Sequence, residues 1–346
     1  MKRIAKIEAL KIIKSPVMWT LLISFLAFNI LTMGSDFRDD YVMENGESGD
    51  AYDELDMEQV FETKKAVSPA HLTGSYEQLV HRNYEKLQAR VEEIRRTGEG
   101  NAPFYPGEKY HVFSNLFGST GKKLLLESAA FLMLSLLLLM DYERMRKTRE
   151  IVLISLTGKR VMRTKICVGA LTGLLFCAVL MAGTYLFFFW KVPLAGLWDV
   201  PVSSAVLSET MGMASFPFVT FFRISLGQYF LLSLAVMFGM LLSVAGLCVA
   251  LQLFIQNCYL SFLTQSLLYV GLLAVTGMRA ANFIAVAKTF LNPVTLWVNC
   301  GLWFIENDFV MSFAGSEFLS VIGTGIVVVL LIVAGSIRYR RMEVRC

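Results

Sequence analysis

Charge is what this chain has least of. Only 17% of its 346 residues are Asp, Glu, Lys or Arg, against 55% hydrophobic residues. A soluble globular domain carries about 25% charged residues. The shortfall excludes an ordinary soluble fold and points to a polytopic membrane protein. Histidine is scarce too: His71, His81 and His111 are widely spaced, which leaves no metal-ligand pattern. The six cysteines (Cys167, Cys177, Cys248, Cys258, Cys300 and Cys346) avoid the polar stretch 36–122 and sit mostly in apolar runs. That excludes a disulfide framework and makes them small apolar residues. There are no paired intramembrane carboxylates, no His cluster and no Ser/Lys arrangement, so nothing supports an intramembrane enzyme.

Long uncharged runs are abundant instead. Residues 15–35 carry no charge and follow a basic start, MKRIAKIEALKIIK, with five Lys/Arg and one Glu. The run is of membrane length and ends in Ile30-Leu31-Thr32-Met33, a poor cleavage site, so a retained span is expected rather than a signal peptide. Pro16 suits the first turn of its helix. Within 2–14, Ala5, Ala9, Ile12 and Ile13 form an apolar stripe, but Ile4, Ile7 and Leu10 fall among the lysines. The interval 224–278 has 55 residues without a charge. As one helix it would run about 80 Å, at about 1.5 Å per residue, far beyond a hydrocarbon core of about 30 Å. It must fold back, and Gln252, Gln256 and Asn257 near its middle mark the turn. Six spans result, near 15–35, 122–141, 166–190, 226–251, 259–278 and 318–337.

Between the first two spans the composition changes. Residues 36–122 hold 17 Asp/Glu and 10 Lys/Arg. Residues 75–97 read as a helix: Ser75 caps with Gln78 three positions on, Leu79, Tyr84, Leu87, Val91 and Ile94 recur at helical spacing, and Gly98 ends it. A second helix is expected near 52–66. The run Gly118-Ser119-Thr120-Gly121-Lys122-Lys123 imitates a phosphate-binding loop, but Leu116 stands where its first Gly belongs and Lys123 where its Ser/Thr belongs.

The densest positive block is 141–165, with Arg144, Arg146, Lys147, Arg149, Lys159, Arg160, Arg163 and Lys165. Ile151, Leu153, Ile154 and Leu156 give it an apolar face too short to span, and Thr157-Gly158 breaks it. The expected arrangement is a helix extending from span two, a break, and a second helix entering the bilayer. Counting the N-terminal segment, this loop and the basic tail, 17 of the 32 Lys/Arg lie in three short segments, which the positive-inside rule places in the cytoplasm with both termini. Polar residues within the apolar runs are few. Glu127, about one turn into span two, is an interfacial charge or a functional carboxylate. Gln265 is an interhelical hydrogen bond worth about 0.6 kcal/mol or a substrate contact. Gly169, Gly173 and Cys177 recur every four residues and let another helix approach closely, in this chain or another. Residues 279–316 are apolar but interrupted by Arg279, Lys288 and Asn292-Pro293, which fits short helices dipping into the outer leaflet. The fold class expected is an all-α polytopic membrane protein of six transmembrane helices with cytoplasmic termini. Its parts are a basic segment with the first span (1–35), a small, mainly helical extracytoplasmic domain (36–122), and a bundle of the remaining spans (123–346) with an inner loop (141–165) and an outer re-entrant segment (279–316).

This order of parts resembles the permease subunits of ABC exporters of the second type, which include drug, antibiotic and sodium efflux permeases. The resemblance is carried by the opening KIEALKIIKSPVMWTLLISFLAFNI, by the large outer region between the first two spans, by LISLTGKRVMRTK at the end of the basic loop, and by Asn292-Pro293 before Trp297. Arg149-Glu150-Ile151 departs from the Glu/Arg-x-Gly-Thr of many members. The resemblance implies ATP-driven export, with Mg-ATP bound by a separate ABC ATPase subunit, because this chain has no Walker A motif and no Leu-Ser-Gly-Gly-Gln signature. It also implies a second permease copy or homologue as dimer partner, and the plasma membrane as location. The coupling helix expected is 142–156, with Arg144, Arg146, Lys147 and Arg149 as its charged face and Ile151, Leu153, Ile154 and Leu156 as its apolar one. Glu127, Gln265 and Asn292 are the candidate polar residues of a pathway for hydrophobic or amphipathic cargo. No cofactor bound by this chain and no nucleic-acid partner is expected. The alternative is a membrane sensor or scaffold whose acidic outer domain binds a ligand.

Overall fold

A computed structural model describes residues 2–36, 50–53, 55–68, 70–101, 113–145, 158–192, 194, 196–204, 206–207, 216–307, 309–311 and 313–343. Arg146, Lys147, Arg149, Ile151, Leu153, Ile154 and Leu156 lie outside them, as does the side chain of Arg144.

The protein is an all-α polytopic assembly. Among the described residues six helices are long and apolar enough to cross a membrane: Pro16–Met33, Ser114–Met140, Thr164–Lys191, Leu226–Ile255, Cys258–Thr276 and Ser316–Arg338, called spans 1 to 6 below. Span 2 begins eight residues before the Lys122 that marks it in the sequence, because uncharged residues from Ser114 continue the helix as a π-helical turn, Ser114–Ser119. Span 4 opens with a capping box between Ser225 and Gln228. It ends where Gln256 turns left-handed at φ 55°. Asn257 then caps span 5 through the N–H groups of Tyr259 and Leu260, and Gln252 accepts a 2.8 Å bond from Ser261 across the turn. The polar triplet therefore closes the hairpin that the length argument requires.

Spans 2 and 4 form the buried middle, and spans 5 and 6 leave most of their Leu, Ile and Val side chains exposed. Apolar side chains facing outward on membrane-length helices are what lipid contact demands. Gly173 lies where a methyl would come within 2.6 Å of Leu132 and 2.5 Å of the Ser135 hydroxyl, and one at Gly169 would meet Leu136 at 3.0 Å. Cys177, a turn further, directs its thiol at the Ser128 carbonyl at 3.4 Å. The small-residue stripe of span 3 therefore packs against span 2 of the same chain.

At the Ser114 end of span 2 the chain builds a second layer. Helices Met57–Val67 and Ser75–Thr97 pack on each other. The longer one starts differently from expectation: Gly74, at φ 66°, is the N-cap and Ser75 makes no side-chain cap. Its end at left-handed Gly98 is as read. These helices share their core with Val219, Ala285, Phe309 and Val310. Tyr52 donates to the carbonyls of Ser203 (2.6 Å) and Phe218 (3.0 Å), and burial pushes its phenol far above the usual range, so it stays a donor. Two short helices, Asn282–Phe290 and Pro293–Val298, lead from span 5 towards span 6. Asn292 caps the second with Pro293 behind it, and also donates to the Leu272 carbonyl at 3.0 Å. The turn after it meets span 2: Trp297 donates to the Lys122 carbonyl at 3.0 Å and Cys300 to that of Phe117 at 3.2 Å. Gly301 sits there at φ 98°, where an added methyl would lie 2.6 Å from the Gly118 backbone, so only glycine fits.

Candidate functional site

At the opposite end of span 2 the helix stops at Asp141, whose φ of −99° and ψ of 4° leave the helical region. A single turn, Tyr142–Met145, follows. The break therefore comes at Asp141, and the helix of span 2 does not run on into the basic block as the sequence suggests. The reason is a tertiary contact. Asp141 turns its carboxylate across to the N–H of Cys258 at 3.4 Å, at the start of span 5.

Around this turn three segments are tied by charge. The N-terminal helix, Lys2–Ile13, lies against spans 2 and 3, with Ala5, Ala9 and Ile12 on the packed side and Ile7 exposed. Its Lys11 ammonium donates to Glu8 at 2.7 Å, one turn back, and to Glu143 at 3.0 Å in the turn after span 2. The same ammonium stands 4.6 Å over the Tyr142 ring. The second oxygen of Glu143 pairs with Lys165, at the start of span 3. Lys165 also reaches the Leu139 carbonyl at 3.4 Å. Glu143 thus bridges two lysines from two different segments. Glu8 and Lys165 have only 5% and 4% of their side-chain surface exposed. Each is the deeper partner of a separate pair, Glu8 with Lys11 and Lys165 with Glu143, and a buried charge left uncompensated by loss of its partner costs about 3–5 kcal/mol. Three carboxylates (Glu8, Asp141, Glu143) surround two ammonium groups (Lys11, Lys165). The chain then continues into Arg146, Lys147 and Arg149.

The sequence counts Lys165 in the basic block and sets the inner edge of span 2 at Asp141, but it does not mark these five residues as a site. A signal existed: Glu8 is the lone acid in the N-terminal basic segment, and Asp141 and Glu143 are two of the three acids in the 141–165 block. Acids kept inside a topology-setting basic segment have a partner to neutralise.

The sequence-selected polar residues do not gather into one site. Glu127 lies between spans 1, 2 and 3 and accepts 2.7 Å from Asn29, which also donates to Thr184 at 3.3 Å. Gln265 is fully buried on span 5 and donates to the Val244 carbonyl of span 4 at 3.2 Å, an interhelical bond. Asn292 is the cap described above. Among the described residues no cluster of three His, Cys, Asp or Glu side chains stands ready for a metal. Comparison with protein-family models, with curated proteins and with solved structures finds no match to this chain.

Proposed function

We propose that this chain is the permease subunit of an ABC exporter of the second type, exporting a hydrophobic or amphipathic substrate on energy from a separate ATPase subunit. In this reading both termini and the 141–165 loop are cytoplasmic, the layer on helices 57–67 and 75–97 is extracytoplasmic, and two permease chains, identical or homologous, pair in the plasma membrane. The partner, not this chain, holds Mg-ATP.

One observation carries the reading: the Glu8–Lys11–Glu143–Lys165 cluster. It fastens the N-terminal helix, the start of the basic loop and the foot of span 3 into one junction. A push on the loop then acts on spans 2 and 3 together. These two are locked by the glycine stripe, so the displacement travels as a rigid body. A loop whose charges served only to set orientation has no need of a buried carboxylate bridging two lysines.

The test is to purify the full chain from its native membrane and identify what comes with it. The expected result is a soluble subunit carrying a Walker A motif, crosslinked through a cysteine placed at Arg146 or Arg149. In Lys165→Met the partner still binds, and ATP hydrolysis by the complex loses its dependence on the permease. A chain that purifies without any nucleotide-binding subunit, or a Lys165→Met variant with unchanged stimulation, sinks the proposal. The sensor or scaffold alternative predicts ligand binding by the 36–122 region. Its helices share a core with Val219, Phe309 and Val310, so that test needs the full chain rather than a fragment.

A further inference from the structure

Most buried carboxylates in this protein are answered by cations. Glu306 has Lys64, Glu99 has Arg90, and Glu8 and Glu143 have Lys11 and Lys165. Three others accept from neutral donors: Asp141 from the Cys258 N–H, Glu317 from the Phe304 N–H, and Glu127 from a side-chain amide of another span. Glu127 is 8% exposed, and its hydrogen-bond donor is a neutral amide, Asn29, itself 1% exposed. Asn29 is clamped in turn by Thr184, which is fully buried. The three side chains come from three different spans. Glu127 lies five residues past Lys122, about 7 Å along the helix, and thirteen past Ser114, where span 2 begins, so it sits deeper than the one turn the sequence suggests.

We propose that Glu127 is a proton-exchanging carboxyl within the spans, with Asn29 as a partner that serves both its charged and its neutral form. An ionised carboxylate shut away from water is expensive unless paired, and protonation is the ordinary escape. A lysine partner would oppose that escape by holding the charge. An amide does not. Asn carries donors on one side of its plane and an acceptor on the other. As drawn, its N–H₂ donates to the carboxylate. When the carboxyl takes up a proton, a half-turn of the amide presents Oδ1 to the new O–H, and the bond between spans 1 and 2 survives in either state. Little else titrates nearby. Span 1 has no ionisable side chain between Pro16 and Met33. Span 2 contributes Lys122 and Lys123, Lys123 acting through space one turn away. Span 3 contributes Cys177 and Tyr185 on its packed face, and Lys191 at the same end.

The consequence is a proton-binding site at the joint between span 1 and the buried pair of spans 2 and 3. It takes a proton, not a metal, since one carboxyl, one amide and one hydroxyl offer too few anionic ligands. The inference stands whether or not an ATPase drives this chain.

The experiment is labelling of the full chain in lipid nanodiscs with dicyclohexylcarbodiimide between about pH 5 and about pH 9, spanning well above the ordinary carboxylate value of about 4.3. The reagent takes the carboxyl proton on nitrogen while the carboxyl oxygen bonds its central carbon, so only the protonated acid reacts. The expected result is an adduct on Glu127 at the low end that fades as pH rises. In Asn29→Leu the charged form loses its donor, so labelling persists about one pH unit or more higher. Infrared difference spectra of unaltered protein provide a second measurement that needs no reagent access. They should show a protonated-carboxyl band that titrates across the same range, and Glu127→Gln should remove it. A Glu127 that stays unlabelled throughout, with no titrating band, overturns the proposal. So does a band that survives Glu127→Gln.

Discussion

The two ends of span 2 solve the same problem in opposite ways. At the Ser114 end, Glu306 is completely buried and takes Lys64 at 2.6 and 2.7 Å, while Tyr84 donates to it at 2.7 Å. The Lys64 ammonium also reaches the Asn307 carbonyl, and the Glu306 N–H donates to Val219. Every direction around that carboxylate is filled. Nearby, Glu99 takes both Arg90 at 2.7 Å and Ser203 at 2.6 Å. At the Asp141 end the described residues place three carboxylates about two lysines, and Glu143 divides its two oxygens between Lys11 and Lys165. One end is a clamp, saturated at the Glu306 oxygens, that holds distant segments together. The other is a bridge in which one carboxylate, Glu143, joins two lysines from two segments. The first fixes two distant segments to each other, and the second joins three segments at the start of the basic block.

The largest effect should come from opening the clamp. Lys64→Met leaves the Glu306 carboxylate with no cation and should cost about 3–5 kcal/mol. Tyr84→Phe removes one donor to a charged group and should cost about 1.5–3 kcal/mol. Thermal unfolding in detergent measures both, and hydrogen exchange should locate the loss in helices 57–67 and 75–97. If Lys64→Met unfolds no more easily than the unaltered chain, or if Lys165→Met at the other end proves as damaging to that layer, the contrast between the two ends fails.

That clamp was invisible in the sequence. Lys64 and Glu306 are 242 positions apart, and no periodicity links them. The six spans were legible because a membrane span is a one-dimensional object: length and lack of charge define it. The hairpin between spans 4 and 5 was legible for the same reason, since Gln252, Gln256 and Asn257 interrupt an otherwise apolar run. What failed was whatever depends on which neighbour a residue meets. Asp141 read as the inner edge of a continuing helix, yet it breaks the helix because Cys258 offers an N–H from another span. Ser75 read as a cap, yet Gly74 takes that place because the chain enters at positive φ. Gly169 and Gly173 were read as a packing stripe, but only the structure names span 2 as the neighbour. The candidate site followed the same pattern. The basic block drew attention by its density, while the acids that organise its start did not.

An intermediate effect tests the rigid link between the two ends. Gly173→Leu forces a side chain against Leu132 and Ser135, where even a methyl is too close. Overpacking of this kind costs about 1–3 kcal/mol. The unfolding temperature should fall moderately, while crosslinking between cysteines placed in spans 2 and 3 should change strongly, because the helices must separate. Unchanged crosslinking would mean the two helices are not held by that stripe, and a push at the Asp141 end would then have no rigid path to the clamp.

The smallest effect belongs to charges that resemble the clamp but lie on the surface. Lys65 meets Glu77 at 2.5 Å, with 41% and 30% of the two side chains exposed. The hydrogen bond it donates to Glu77 raises the Lys65 ammonium above its usual range, against the opposing pull of desolvation. Its stabilising contribution is therefore fully present below the unfolded value of about 10.4, and is lost as pH rises through the higher folded value. Across neutral pH the pair is charged in both states and contributes a flat, salt-screened increment. Glu77→Gln should leave the unfolding temperature at neutral pH and high salt where it was, and should soften the loss of stability above about pH 10. The Lys64→Met loss should persist in high salt, because Glu306 is beyond the reach of solvent ions. If salt erases the Lys64 effect as readily as the Lys65 one, then burial does not separate these two lysines, and the saturated clamp is an ordinary surface pair.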